Sequence, residues 1–265
     1  MILDMHTMVG HFPFRKTPYV TAGELARHLR QNGIGRAVTY SLHAVFYRNV
    51  QDGNEELAQE LSKDASASCV LIPACVVNPA YPGWREDFRR CVDNMGFRML
   101  VMFPAYHGYA LDDPEALALL DLAGQNGVPV HLPFGLEDIR QRHPLDAARN
   151  LSVDEVCRAL AINKHTDILL SNGPMVDFAE RLEPLQAQRP GRLFYDFSKL
   201  DPLNSSFDTL LQLAGPERVV FASASPLHYI APQTFKLHLV KEEQTCRLLS
   251  WENGKALLGL TAEEG

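Results

Sequence analysis

The sequence predicts an α/β protein built as a single closed (β/α)8 barrel, and three observations predict it. Eight short runs of apolar, β-branched and aromatic residues alternate with amphipathic segments from one end of the chain to the other. The length of 265 residues suits one such barrel. No G-x-G-x-x-G motif follows any of the runs, which disfavours the main rival, an open doubly wound sheet.

The predicted strands are nearly continuous apolar runs, as expected of parallel strands that are covered on both faces. In chain order they span residues 1–6, 36–41, 69–76, 97–103, 128–133, 167–171, 192–198 and 218–223.

The segments between the strands carry helix-start signals. Thr21 with Glu24, and Ser152 with Glu155, have the spacing of capping boxes, in which each side chain bonds the other residue's backbone N–H. The stretch 112–115 (DDPE) offers an N-cap, a proline at the first helical position and acidic residues that complement the helix dipole.

Few segments interrupt this alternation. Glycines at 33, 96 and 127 stand where helices are expected to end before the next strand. The longest irregular stretch, 134–151, is predicted to be a lid-like loop or short helix over one end of the barrel. No linker or repeat divides the chain, so residues 1–265 are predicted to form one domain.

Composition narrows the class of partner. The net charge is −7 with a pI of about 5.8, and the basic residues are scattered, so neither nucleic acid nor an anionic membrane is the expected partner. No apolar run is long enough to span a bilayer, and the first residues lack a signal-peptide pattern. Five cysteines without a C-x-x-C pair fit reduced thiols in a cytoplasmic protein.

A functional site in such a barrel is expected at the carboxyl ends of the strands. Many residues at those ends are polar or titratable, including an unusual share of the histidines. The residues there are His6, Met8, Tyr40, Ser41, His43, Cys75, Asn78, Tyr106, His107, His131, Pro133, Ser171, Asn172, Tyr195, Asp196, Ser198, Ser223, Ser225, His228 and Tyr229.

Four stretches together resemble the amidohydrolase-related family of metal-dependent hydrolases, which are TIM barrels. They are LDMHTMVG at 3–10, the long block 94–135, PERVVFASASP at 216–226 and SWENGKALLGL at 250–260. The block 94–135 is the most specific of the four. The resemblance implies hydrolysis of C–N or C–O bonds, with lactone hydrolysis and aromatic-acid decarboxylation as related activities.

The resemblance also implies a metal held by a His-x-His pair on the first strand, histidines after the fifth and sixth strands, and an aspartate after the eighth. His6 matches the first ligand, but Met8 stands in the second position. Pro133 replaces the histidine of the fifth strand, and His131 lies about 6 to 7 Å deeper on the same side.

The remaining ligand positions are also changed. Ser171-Asn172-Gly173 stands where a His-x-Gly is expected, and Ala224 replaces the aspartate. One histidine cannot hold the usual divalent ion, so the sequence predicts no metal and no other cofactor. An alternative keeps a metal on a rebuilt set of His6, His131 and Asp196.

His6, His131 and Asp196 are the predicted catalytic residues, as groups that polarise a carbonyl or transfer protons. The alternative for both histidines is a hydrogen-bonded core position, and for Asp196 a loop cap. Met8, His107, Asn172, Ser223 and His228 are the predicted substrate-binding residues, although Met8 can equally be filler and the loop histidines can be merely solvated.

Two functions follow. The first is a metal-independent small-molecule hydrolase of lactones or amides, or a decarboxylase. The second is a pseudoenzyme that binds a metabolite or a protein partner, because replacement of most metal ligands is what relaxed selection on catalysis allows. A homodimer is expected to be possible in either case.

Overall fold

The computed structural model describes residues 1–201 and 205–261, and in these residues eight parallel strands pair in the order β1 to β8. They are Ile2–Val9, Ile34–Ser41, Leu71–Val76, Met99–Val101, Val130–Pro133, Ile168–Ser171, Leu193–Asp196 and Val219–Val220. The segment after β8 returns to β1 through a parallel bridge between Thr7 and Ser225 and a 2.8 Å bond from the Ala224 amide to the His6 carbonyl. The predicted (β/α)8 barrel is confirmed.

The helices α1 to α13 lie between and after the strands. They are Ala22–Gln31, Leu42–Phe46, Val50–Lys63, Ala65–Ser68, Trp84–Arg89, Pro104–His107, Pro114–Gln125, Val153–Ile162, Met175–Gln186, Ser206–Ala214, Ala231–Leu239, Glu243–Arg247 and Asn253–Leu258. Short π-helical turns at Arg90–Asn94 and Leu248–Glu252 continue α5 and α12, and a 3₁₀ turn at Pro216–Arg218 precedes β8.

Each predicted strand has a counterpart, but several strands end earlier than predicted. The largest difference is at β8, predicted as 218–223, which pairs as a strand over only two residues. Beyond them Phe221 donates its amide to the Leu249 carbonyl, and Ser223 donates its amide to the Asp4 carboxylate. Because these two amides bond groups that are not part of a neighbouring strand, residues 221–223 do not continue the strand pairing of β8.

The helix starts lie where they are predicted; the side-chain capping bonds are complete at one box, and one such bond fails to form at each of two other places. Thr21 and Glu24 form a complete capping box. Ser152 caps the Glu155 amide, but the Glu155 carboxylate instead accepts from the Leu111 amide and from Arg149. The predicted 112–115 cap places Pro114 at the first turn of α7, while the neighbouring Asp113 side chain accepts from the Ala110 amide. In both failures a nearby backbone donor competes with the local cap.

Two apolar layers bury the strands. Leu25, Leu119, Phe178 and many similar side chains fill the space between strands and helices. A second cluster, which includes Met8 and Phe103, fills the barrel interior. At about 25 cal/mol per Å² of apolar surface removed from water, these layers supply most of the drive to fold.

The segment 134–151 is a loop with turns and no helix, as one of the two predicted alternatives states. Leu136 lies in the interior cluster with no exposed surface. The loop therefore covers the carboxyl end of the barrel and inserts one apolar side chain into it.

No helix in the described part of the chain has the length and apolarity needed to cross a bilayer. The predicted domain 1–265 ends in residues 262–265, which lie outside the described residues.

Asn54 of α3 ties a helix to the end of a strand. Its side chain accepts from the Val76 amide at 3.0 Å and donates to the Val76 carbonyl at 2.8 Å. Val76 lies beyond the last residue of β3 that pairs with β2, so the Asn54 amide supplies hydrogen bonds that the sheet does not.

Substituting Asn54→Ala leaves both Val76 groups unsatisfied inside the protein. We expect the free energy of unfolding, measured with urea, to fall by about 2–4 kcal/mol. Gln59→Ala, an exposed change on the same helix, is the control and should stay within about 0.5 kcal/mol of the parent. Equal effects from the two substitutions would contradict this role of Asn54.

Candidate functional site

A chain of hydrogen bonds crosses the carboxyl end of the barrel. Ser171 Oγ lies 2.6 Å from His131 Nε2 and 3.0 Å from His6 Nδ1. His6 Nε2 lies 3.0 Å from the Tyr40 hydroxyl, which donates to Met8 Sδ at 3.7 Å. The two imidazole rings also meet edge to face, with centroids 4.6 Å apart. The structure therefore brings together the predicted residues His6, His131 and Met8.

Strand geometry explains why these side chains meet. His6 and Met8 are two residues apart on β1, and Tyr40 is the register partner of Met8 on β2. Ser171 is the last residue of β6 and pairs with Pro133 of β5. Tyr40 and Ser171 were not among the predicted site residues, although both stand at strand ends where the sequence has polar side chains.

Burial keeps both histidines neutral. His6 and His131 have no exposed surface, and desolvation lowers the pKa of His131 to about 3 and that of His6 well below its ordinary value. A proton on His131 would further disfavour one on His6. At neutral pH the two rings are thus hydrogen-bonding groups of the neutral form.

Asp4 is a further buried acid beside this chain, and it was not predicted. Its Oδ1 accepts from the amides of His6 and Ser223, while Oδ2 has no partner. Burial raises the pKa of Asp4 to about 7, and these donors offset only part of that shift. The sequence signal was its position two residues before His6 on β1.

Asp196 is the last residue of β7 and is fully buried. Its Oδ2 accepts from the Asn172 amide at 3.1 Å and from Ser198 Oγ at 2.5 Å. It forms no hydrogen bond with His6 or His131, and Oδ1 has no partner. Burial raises its pKa to about 6, and Lys236 and Lys199 lower it through their charges.

Asn172 holds the loop 134–151 closed. Its side-chain amide donates to the carbonyls of Gly135 at 2.6 Å and Leu136 at 3.2 Å. The backbone adopts a φ of 58°, a left-handed conformation that asparagine tolerates better than most residues. His228 adds a bond from Nε2 to the Leu136 carbonyl at 3.3 Å.

Charged residues hold the next part of the same loop. Arg15 donates to the Glu137 carboxylate at 2.6 Å and to the Leu227 carbonyl at 2.9 Å. The Glu137 side chain is only 1% exposed. Lys199, from the loop after β7, lies 3.5 Å from Asp138. Contacts from four other strand-end loops, those after β1, β6, β7 and β8, thus converge on residues 135–138, which we name the strap.

The other predicted substrate-binding residues have structural contacts. His107 lies against the Val45 carbonyl at 3.2 Å, and Ser223 Oγ accepts from the Ser225 amide at 3.1 Å. Burial lowers the pKa of His107 and of His228 to about 4. Of these residues, His228 touches the strap and Ser223 adjoins Asp4, whereas His107 joins α6 to α2.

The residues at the metal-ligand positions of the resembling family do not fit a divalent ion. Met8 offers a neutral thioether that already accepts from Tyr40, and both ring nitrogens of His6 are engaged. Pro133 and Ala224 have no side-chain donor atoms. Within residues 1–201 and 205–261 no three His, Cys, Asp or Glu side chains gather as a metal site, so the rebuilt set of His6, His131 and Asp196 is not assembled either.

Five buried polar atoms at this end of the barrel have no hydrogen-bond partner among the described residues. They are Asp4 Oδ2, Asp196 Oδ1, His131 Nδ1, Asn172 Oδ1 and Ser225 Oγ. Buried polar atoms normally have a partner, so these five can each form a hydrogen bond with a further polar group.

Comparison with family models and with curated proteins gives no match. Solved structures do match. 5-Carboxyvanillate decarboxylase from Sphingomonas paucimobilis has a TM-score of 0.75 and 13% identity, over 98% of this chain and 99% of that chain. A dihydroxybenzoic acid decarboxylase from Polaromonas sp. JS666, solved with manganese and 2-nitroresorcinol, has a TM-score of 0.74 and 14% identity over 99% and 98%. A candidate amidohydrolase from Staphylococcus aureus has a TM-score of 0.74 and 14% identity over 98% and 99%.

The chain has the fold of the amidohydrolase-related barrels. The resemblance found in the sequence motifs is therefore confirmed at the level of the fold. Identities of 13–14% carry the architecture and not the activity.

The raised pKa of Asp4 makes stability depend on pH. The Asp4 carboxyl ionises near its ordinary pKa of 3.8 in the unfolded protein and near pH 7 in the folded protein. The contribution of its proton to the free energy of unfolding is therefore fully present below pH 3.8 and is lost as the pH rises through 7. At about 1.4 kcal/mol per pKa unit, Asp4 should remove about 2–3 kcal/mol between pH 5 and pH 8. Asp4→Asn keeps an oxygen acceptor for both amides and should abolish this loss in urea unfolding at the two pH values.

Asp208→Asn, an exposed change on α10, is the control and should leave the pH profile parallel to that of the parent. An Asp4→Asn protein whose stability falls between pH 5 and pH 8 as steeply as the parent's would contradict the assignment.

The ion pair of Arg15 and Glu137 should set how often the strap opens. Arg15→Met leaves the buried Glu137 carboxylate without its cation, and we discount the cost to about 1–2 kcal/mol because Arg15 is 39% exposed. Hydrogen exchange of peptides covering residues 135–142 should become roughly tenfold faster, measured by mass spectrometry. Arg158→Met, which breaks an exposed pair with Asp112, should leave that exchange unchanged.

Proposed function

We propose that the protein is a small-molecule enzyme that works without a metal, cleaving a C–O or C–N bond of a lactone or amide or removing carboxylate from an aromatic acid. One observation carries the proposal. Two neutral imidazoles joined through Ser171 share this end of the barrel with two buried carboxyl groups whose pKa values are raised toward neutrality. Such a concentration of shifted titratable groups at strand ends is typical of a catalytic site.

Asp196 is assigned the proton transfer. With a pKa of about 6 it can hold or release a proton near neutral pH, which suits a general acid–base group. Its Oδ2 is engaged by Asn172 and Ser198, so Oδ1 is the atom left to exchange a proton with substrate. The Asn172 amide and the Ser198 hydroxyl hold the carboxyl in a fixed orientation.

Asp196 can carry the proton in either reaction. In hydrolysis, Asp196 takes a proton from water while the water oxygen forms a bond to the carbonyl carbon. The same proton then passes to the oxygen or nitrogen that leaves as its bond to that carbon breaks. In decarboxylation, protonated Asp196 gives its proton to the ring carbon as the bond to the carboxylate breaks and CO₂ leaves. His131 is assigned the orientation of a polar substrate group, and His6 positions Ser171 and Tyr40.

Substrate entry requires the strap to move. His6, His131, Ser171 and Asp196 are each 0% exposed, and Leu136 of the strap is buried in the interior cluster. Closure of this kind excludes water and strengthens electrostatic interactions inside the site. The contacts of Asn172, Arg15 and Lys199 with residues 135–138 are therefore assigned to a gate.

The same burial favours a second candidate, a barrel that catalyses nothing. A polar cluster that is closed to solvent can serve only to specify the fold, as buried hydrogen-bonded networks do in some proteins. On that account the replaced metal ligands mark lost catalysis, and the unpartnered atoms hold ordered water.

A substrate panel tests the proposal. Lactones, amides and hydroxybenzoates are incubated with the chain in excess chelator, and products are followed by chromatography. We expect turnover that survives the chelator and falls at least about 100-fold in kcat/KM for Asp196→Asn. His238→Gln, an exposed change on α11, should retain full activity.

Three results would count against it. Turnover that is abolished by chelator and restored by manganese would contradict the metal-independent mechanism. Turnover that is equal in the parent and in Asp196→Asn would reject Asp196 as the acid–base group. Saturable binding of a panel compound without any turnover would favour the non-catalytic barrel.

A further inference from the structure

The hydrogen-bond chain at the barrel end has a direction, because one of its members can only accept. Met8 Sδ carries no proton, so the contact at 3.7 Å with Tyr40 exists only if the Tyr40 hydroxyl donates. A hydroxyl has one proton. When Tyr40 gives it to Met8, its oxygen must accept from His6 Nε2 at 3.0 Å.

The rest of the chain follows from this first bond. His6 with a proton on Nε2 presents a bare Nδ1, so Ser171 donates to it at 3.0 Å. The Ser171 oxygen then accepts from His131 Nε2 at 2.6 Å. His131 carries its proton on Nε2 and leaves Nδ1 as an unshared lone pair.

The opposite direction is chemically possible but makes one hydrogen bond fewer. There Tyr40 donates to His6, His6 to Ser171, and Ser171 to His131, while Met8 receives nothing. His131 would then bury an N–H at Nδ1 with no acceptor, since that atom has no partner. An orphaned buried N–H is rarer than an under-satisfied acceptor, and both differences favour the direction that ends at Met8.

We propose that Met8 is a positioning residue: by accepting the Tyr40 proton it fixes both histidines as Nε2–H tautomers and leaves His131 Nδ1 to accept a hydrogen bond from a hydroxyl or N–H of the substrate. The part that concerns substrate rests on the function proposed above. Met8 thereby orients the Tyr40 hydroxyl at the position where the resembling family has a metal ligand.

The electrostatics of the site agree with a neutral acceptor. Burial holds the pKa of His131 at about 3, so Nδ1 stays unprotonated across physiological pH. Burial disfavours a proton on His6, and so does the positive charge of Lys199; protons on His131 or His228 would disfavour it further. A ligand that brings a neutral donor to Nδ1 meets no charge on either ring.

Nitrogen-15 NMR of histidine-labelled protein tests the proposal, because couplings between ring nitrogens and carbon-bound protons distinguish the two tautomers. His6→Gln and His131→Gln spectra assign the signals. In the parent we expect Nε2–H at both His6 and His131. Met8→Leu conserves volume, so the fold should be retained, and it removes the sulfur acceptor that turns the Tyr40 hydroxyl away from His6.

Without Met8 each direction makes three hydrogen bonds and leaves one buried donor unpaired, so Met8→Leu should remove the preference for Nε2–H and raise the population of Nδ1–H at both histidines. In the double variant Met8→Leu with Ser171→Ala, only the population at His6 should change, because His131 is then disconnected. Met102→Leu, a buried change in the outer apolar layer, should leave both tautomers as in the parent.

A parent protein with Nδ1–H at His6 or His131, or a Met8→Leu protein with unchanged tautomers, would overturn the proposal. These readouts need no substrate. A failure of the substrate panel would leave the tautomers as expected and count against the enzyme alone, whereas reversed tautomers in an active enzyme would count against the directed chain alone.

Discussion

Desolvation at the carboxyl end of the barrel is the constraint on which the site depends. Charged forms are costly there, so the histidines stay neutral and two carboxyl groups keep protons toward neutral pH. A set of buried neutral groups can be stable only if its members bond one another. The chain of hydrogen bonds from His131 through Ser171, His6 and Tyr40 to Met8 gives most of these groups a partner.

The residues at the positions where the resembling family has metal ligands fit this constraint. A divalent ion would compensate the burial of several ligands at one point, and these residues instead bond one another or carry no polar side-chain atom. Met8 accepts from a tyrosine, Ser171 joins two histidines, and Ala224 offers no side-chain polar atom at all. These residues thus make a self-bonded cluster at the positions where the resembling family has its metal ligands.

The buried polar groups of the strap, on the solvent side of the site, are also hydrogen-bonded by neighbouring side chains. Backbone carbonyls at 135 and 136 would be unsatisfied under a closed lid, and Asn172 and His228 supply their donors. Glu137 is buried against Arg15, which reaches it from the loop after β1. Closure is therefore held by polar contacts at the rim and by one apolar side chain, Leu136, inside, an arrangement suited to opening without disturbing the core.

The fold was predictable because its signals are local. Each strand is an apolar run, and the box at Thr21 and Glu24 lies within one turn. The site was only partly predictable because its bonds join distant residues: Ser171 and His6 are 165 positions apart. Asp196 shows the limit most clearly. Its burial followed from the apolar run around it, but its partners were decided by a serine two residues on and a backbone amide from the neighbouring strand.

The central claim is that bonded neutral groups, and not a metal, occupy this end of the barrel. The most direct measurement is the metal content of the protein after expression with added manganese and zinc, determined by inductively coupled plasma mass spectrometry. We predict manganese, zinc and iron all well below one ion per chain. One ion per chain in the parent that is lost in His6→Gln would contradict the account.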